Sequence, residues 1–204
     1  MKKILLIAIC VFLSVSSFSQ SENGNDILDN AVYARIALGF PGGEQSDNDV
    51  VTAGPQYEDG TIFYLNTLKK EDKMKLGIDV TYVSVSGVVN SPDLINDDKS
   101  DSYFMAGAKA GPCFSYNFAG DFIADAYFKL YPNMLIAGET QYHDYNAENQ
   151  FKLGTSFGLN VRYKALMVGF EFTSTKYDFE VGTLSPSSES IKLPVTFVSL
   201  GVNF

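Results

Sequence analysis

The sequence predicts an all-β chain in which eight antiparallel strands run up and down and close into a barrel. Three observations carry that prediction. Apolar and polar residues alternate with period two in short recurring segments, the links between segments alternate between long and short, and the small and charged residues gather on one strand face. At 204 residues with 46% hydrophobic content, the chain is long enough for one such domain.

Residues 1–19 read as an export signal. Lys2 and Lys3 precede an apolar run from Ile4 to Val15 that is too short to span a bilayer as a helix, and Ser17 and Ser19 supply small residues before a cut at Gln20. Bulky Ile9 ahead of Cys10 argues against a lipid-anchored N-terminus. Loss of Lys2 and Lys3 turns the formal charge of −9 into −11, which argues against nucleic acid or an anionic lipid surface as an electrostatic partner. It also leaves Cys113 as a lone thiol, read as a small apolar filler. Residues 20–30 form a polar periplasmic tail, and residues 31–204 form the barrel.

The strands follow in order. In "AVYARIALGF", Val32, Ala34, Ile36, Leu38 and Phe40 oppose Tyr33, Arg35, Ala37 and Gly39. A weaker strand spans 61–69 with its faces unassigned, and others lie near 74–86, 102–116 and 121–131. "FKLGTSFGLNVRY" at 151–163 alternates throughout: Leu153, Thr155, Phe157, Leu159, Val161 and Tyr163 against Lys152, Gly154, Ser156, Gly158, Asn160 and Arg162. A helix cannot produce that period. "LMVGFEFT" sets Leu166, Val168, Phe170 and Phe172 against Met167, Gly169, Glu171 and Thr173, and the last strand covers 193–204. Pro112 and Pro194, lacking an amide donor, are expected toward strand ends.

Long polar links at 41–60, 87–101, 132–150 and 179–192 alternate with the short turns "KKED", "NFAGD" and "YKA". Long connections therefore lie at one end of the barrel and tight turns at the other. That is the arrangement of an outer-membrane barrel, with both chain ends on the periplasmic side.

The polar face decides what the barrel meets. It carries Gly39, Gly77, Gly107, Gly111, Gly154, Gly158 and Gly169 among isolated charges. Glycine on a solvated strand weakens it, whereas inside a narrow eight-strand barrel it relieves crowding. The bulky face then meets lipid, and each apolar stretch is close to the roughly 9–11 residues a tilted strand needs to cross. On this parity Leu159→Arg is costly and Asn160→Ser costs little.

In the last strand Val198, Leu200, Val202 and Phe204 oppose Phe197, Ser199, Gly201 and Asn203, which puts Phe204 on the lipid side at the periplasmic interface. With this "GVNF" ending, residues 31–204 resemble the small eight-stranded outer-membrane barrels of the OmpA and OmpX type. The resemblance implies export to the outer membrane of a Gram-negative cell. It also implies membrane lipid and lipopolysaccharide as surroundings, and an assembly signal at Gly201, Val202 and Phe204 read by the barrel-assembly machinery. A C-terminal periplasmic domain of the OmpA kind is not expected.

Inward parity assigns three cations and three anions to the lumen: Arg35, Lys109 and Arg162 with Asp79, Asp125 and Glu171. Unpaired, they would be expensive to bury, so a polar network of ion pairs is expected, filling a lumen too narrow for a wide channel. The loops are acidic, as in "NDDKSD" and "GGEQSDND", but lack the full calcium-loop pattern. The single histidine, His143, has no serine beside it and no nucleophile-elbow glycines. The residues thus point to a non-enzymatic barrel without cofactor or metal, acting through its acidic extracellular loops on an unknown ligand in surface interaction or envelope integrity. A narrow transporter of small or hydrophobic solutes, resembling the OmpW type, is the alternative. A rim lipid hydrolase or acyltransferase using His143 is the third.

Overall fold

A computed structural model describes residues 30–42, 54–65, 73–90, 101–137, 145–146, 149–181 and 187–204. The expected export signal, nearly all of the N-terminal tail, the "KKED" turn, the acidic loop stretches and His143 lie outside the described residues.

The strands are β1 (Ala31–Pro41), β2 (Gly54–Tyr64), β3 (Met74–Asn90), β4 (Asp101–Ala119), β5 (Phe122–Ala137), β6 (Tyr145–Asn146), β7 (Gln150–Tyr163), β8 (Leu166–Val181) and β9 (Ser187–Asn203). Every pairing is antiparallel. Because β1 bonds both β2 and β9, and β9 bonds β8, the eight long strands close on themselves. The two-residue β6 only extends the upper edge of β8, at Val181 and Glu180. Around the paired girth of the barrel each long strand has a neighbour on both sides, the condition hydrocarbon imposes on any spanning sheet.

The tight turns lie where sequence places them. β4 turns into β5 through Gly120 and Asp121, and β7 into β8 through Lys164 and Ala165, with Gly120 and Lys164 both at φ 53°. Two-residue hairpin loops need such left-handed residues to match strand twist.

Strand lengths differ from expectation. β2 occupies Gly54–Tyr64 rather than 61–69. Residues 54–60 belong to the expected long polar link at 41–60, but the register running from Ala31↔Ile62 to Gly39↔Gly54 draws them into the ladder. β3, β5, β8 and β9 likewise extend into the expected loops, to Asn90, Ala137 and Val181, and back to Ser187. In β8 and β9 the added residues, "STKYDFEV" and "SSESIK", are largely polar, so the alternation fades while the hydrogen bonding continues. The prolines also differ: Pro112 lies within β4 opposite Ile78, and Pro194 within β9 opposite Ser174. Pro112 is accommodated because neither it nor Gly111 takes a register partner on β5, while Ala110 and Cys113 on either side do.

The face assignment is decided by exposure. Leu159 is 50% exposed and its neighbour Asn160 3%, and burial alternates in this way along β7 to Tyr163. Phe157, Phe170, Phe172, Val198 and Leu200 likewise face outward, whereas Tyr33, Arg35, Met167, Glu171 and Phe197 are enclosed. An apolar exterior around a polar interior is the inverse of a water-soluble barrel and fits a hydrocarbon surround. Hollow space on the outside includes a furrow of about 720 Å³, where Ala110, Pro112 and Ala126 lie between Phe114, Phe128 and Phe157.

The lumen is layered. Ala31, Tyr33, Ile62, Tyr64, Cys113, Ile123, Tyr127 and Met167 pack in the half next to the tight turns. Ala37, Met105, Leu135, Tyr177, Val195 and Phe197 pack in the opposite half. Along β1 the order Tyr33, Arg35, Ala37, and along β4 the order Met105, Lys109, Cys113, put charged residues between the two apolar layers.

Candidate functional site

The site is the charged layer. β1 supplies Arg35, β2 Glu58, β4 Lys109 and β8 Glu171, each on inward parity and each at most 2% exposed. Arg35 donates from Nε to Glu58 Oε2 at 2.5 Å and from Nη2 to Glu171. Lys109 bonds the same two carboxylates, Glu58 at 2.5 Å and Glu171. Each cation thus bridges both anions.

The remaining valences are met by neutral groups. Arg35 Nη1 donates to Tyr127 Oη at 2.9 Å and to Asn160 Oδ1 at 3.2 Å, and the Tyr127 hydroxyl donates to Glu171 at 2.7 Å. Ser84 Oγ donates to Glu58 at 3.0 Å and Gln56 Nε2 at 3.2 Å. Asn160 is therefore bound into the network, so Asn160→Ser removes a hydrogen bond to a buried cation and is not the silent change expected from parity alone.

Two further pairs flank this cluster. Lys129 Nζ lies 2.8 Å from Asp79 Oδ2 and donates to Thr81 at 2.9 Å, while the Tyr33 hydroxyl donates to Asp79 Oδ1 at 2.8 Å. Arg162 grips Asp125 with two parallel bonds, at 2.7 and 2.9 Å, and donates to the Tyr64 hydroxyl at 2.5 Å. Tyrosine rings complete the shell: Lys129 lies 4.3 Å from the Tyr127 centroid and Lys109 4.6 Å from that of Tyr131.

The six residues singled out by sequence all line the lumen, but not as one cluster. Arg35, Lys109 and Glu171 meet at the centre, Asp125 and Arg162 pair toward the tight-turn end, and Asp79 pairs with Lys129. Glu58 and Lys129 were missed. Lys129 was legible, since it continues the inward parity of Asp125 and Tyr127; Glu58 was hidden in "GPQYEDG", whose composition suggests a turn. With them, Arg35, Lys109, Lys129 and Arg162 balance Glu58, Asp79, Asp125 and Glu171, and the network carries no net charge. Lys75 joins the inner wall beside the Tyr64 ring, 5.7 Å from its centroid.

Such a network can hold the barrel in one register and fill its bore. Breaking a buried pair strands a charge in a medium that cannot solvate it, which makes the closed arrangement stiff. At the outer rim the half-buried Lys152 ammonium hydrogen-bonds the exposed Asp178 and holds that carboxyl below the usual carboxylate range. At the other end Gly201 packs its backbone against Ala34 and Arg35, Val202 pairs with Ala34 and Leu166, and the Phe204 amide donates to Val32 O at 2.8 Å.

The fold is that of a small outer-membrane barrel. No family model matches the sequence, and no curated protein matches it. Among solved structures, Ail, the attachment invasion locus protein of Yersinia pestis, is similar at 11% identity and a TM-score of 0.46, over 86% of this chain and 99% of that one. The outer membrane protein OprG from Pseudomonas aeruginosa is similar at 8% identity and a TM-score of 0.44, over 86% of this chain and 96% of that one.

Proposed function

We propose that the protein is a closed, non-enzymatic barrel of the Gram-negative outer membrane that acts through its acidic extracellular loops in surface interaction or envelope integrity. The observation that carries this reading is the sealed lumen: a charge-neutral network at the centre, with Leu135, Tyr177 and Phe197 packed across one half and Tyr64, Ile123 and Met167 across the other. A bore filled in this way offers solute no path, so recognition falls to what projects beyond the belt. Exchange with lipopolysaccharide at the outer rim and delivery by the barrel-assembly machinery through Gly201, Val202 and Phe204 belong to the same reading.

The test pairs two measurements on the purified, refolded protein. In a planar bilayer it produces no conductance steps, and deleting the loop between β3 and β4 abolishes binding to the cell surfaces that the intact protein binds. Steady single-channel steps would transfer the role to transport.

A further inference from the structure

Asp59 is out of place on the exterior. It sits in β2 on the outward parity of Pro55, Tyr57, Thr61 and Phe63, directly between Ala34 of β1 and Val83 of β3. The apolar belt continues on every side of it: Phe63 and Leu65 toward the periplasmic end, Ile36 and Leu38 of β1 and Val85 of β3 toward the outer end, all at least 41% exposed. Other outward charges among the described residues lie at the margins, Lys176, Asp178 and Lys192 at the outer rim and Asp121 and Lys164 at the turns. Asp59 is thus a carboxyl at mid-belt. The Gly60 amide meets it, and its neighbours offer it no cation.

The backbone is specialised at the same point. The β2–β3 register shifts between Asp59 and Gly60, and Tyr82 is the extra residue on β3, so that Tyr82 and Val83 both face outward, 50% and 43% exposed. Bulges re-aim side chains, and this one sets a phenol beside the carboxyl. Tyr57, half-buried two residues along the same face, supplies a second. The side chains flanking it on β1 and β3 are small, Ala34, Val80, Val83 and Val85.

We propose that this patch is the contact between two copies of the chain within the membrane. Acyl chains offer a carboxyl no donor, and polar residues placed in hydrocarbon seek protein partners. The patch holds an acceptor, Asp59, and two hydroxyl donors, Tyr57 and Tyr82, with no cation that would call for a dissimilar partner. A two-fold axis through it sets each copy's hydroxyls against the other's carboxyl, so the face is self-complementary in the manner an isologous dimer needs. The small valine and alanine side chains let the two sheets approach closely.

The inference rests on the chain spanning a bilayer. Heat-dependent gel mobility of the refolded protein, the sign of an intact barrel, tests that separately. Sedimentation in micelles and in lipid discs then reads the association. The wild-type protein is a dimer. Asp59→Leu keeps the mobility shift but dimerises about tenfold more weakly or less, and Val83→Phe, which enlarges one of these small side chains without touching the carboxyl, weakens it as well. Asp59→Asn, which retains an acceptor, stays dimeric. A folded wild-type barrel that sediments as a monomer overturns the proposal, as does an undiminished dimer in both Asp59→Leu and Val83→Phe. Association with a different membrane protein in place of a second copy overturns it equally.

Discussion

Arg35 and Glu171 stand 136 residues apart in sequence and meet at the centre of the barrel, where the guanidinium donates to the carboxylate. They come from β1 and β8, which are joined in the sheet only through β9, so the contact forms only once the seam between β1 and β9 has closed. A pair of this kind reports closure itself. Local strand formation cannot supply it, and the second cation on Glu171, Lys109, arrives from the far wall of the barrel on β4.

Glu171→Gln tests this directly. The amide keeps the shape but leaves Arg35 and Lys109 sharing Glu58 alone. The expected loss is about 3–5 kcal/mol, the cost of stranding a buried charge. Urea titration in lipid vesicles measures it. An unchanged midpoint would mean that water enters the bore and solvates these cations.

A complementary substitution separates shape from charge. Converting Arg35, Glu58, Lys109 and Glu171 together to apolar residues of similar volume removes every stranded charge at once, and such replacements are often neutral or stabilising. The quadruple variant is expected to resist urea better than Glu171→Gln does. Should it prove weaker than the single variant, the network would be specifying the register rather than only filling space.

How far the sequence alone reaches is clear from particular residues. The alternation in β7 sets Leu159 outward and Asn160 inward without any knowledge of neighbours, because a strand has only two faces. Arg35, Asp79, Lys109, Asp125, Arg162 and Glu171 follow from the same parity. Which of them meet does not follow, since that depends on stagger around the closed sheet, a property of all eight strands together. Glu58 and Asp59 were obscured for a related reason: their strand forms because β1 and β3 pair with it, and its own Gly, Pro and Asp content argues otherwise. The turns at Gly120 and Lys164 were legible because they are purely local.

Leu159→Arg tests the orientation of the sheet. Leu159 is half exposed at mid-belt, and a guanidinium there is expected to cost about 2–4 kcal/mol in lipid, less in detergent, where the head can reach water. Asn160→Ser, one residue along, acts on the opposite side and is expected to cost about 1.5–3 kcal/mol through the lost bond to Arg35. Equal folding of Leu159→Arg in vesicles and micelles would turn the barrel inside out.

At the outer rim the Lys152 ammonium holds the Asp178 carboxyl below its ordinary range. A carboxyl depressed by folding adds stability that is fully present above its unfolded titration and is lost as pH falls through the folded one. The expected signature is local: carbon NMR of Asp178 titrates below a free aspartate, and Lys152→Gln moves it back up. The pair is solvated, so overall stability hardly changes. A titration that ignores Lys152→Gln would leave the contact without energetic meaning.

Gly158 shows how the lumen makes room for the site. A Cβ built there would stand 2.3 Å from the Tyr127 ring, the ring whose hydroxyl accepts from Arg35 and donates to Glu171. Lys129 and Arg35 lie against the ring, so any shift of it disturbs their contacts. Gly158→Ala is therefore expected to cost about 1–3 kcal/mol through overpacking. Tyr127→Leu, which ends short of the clash, should absorb much of that cost, so the two substitutions together lose less than their sum. Strict additivity in a urea double-mutant cycle would place the penalty in the β7 backbone and remove the glycine from any role in seating Tyr127.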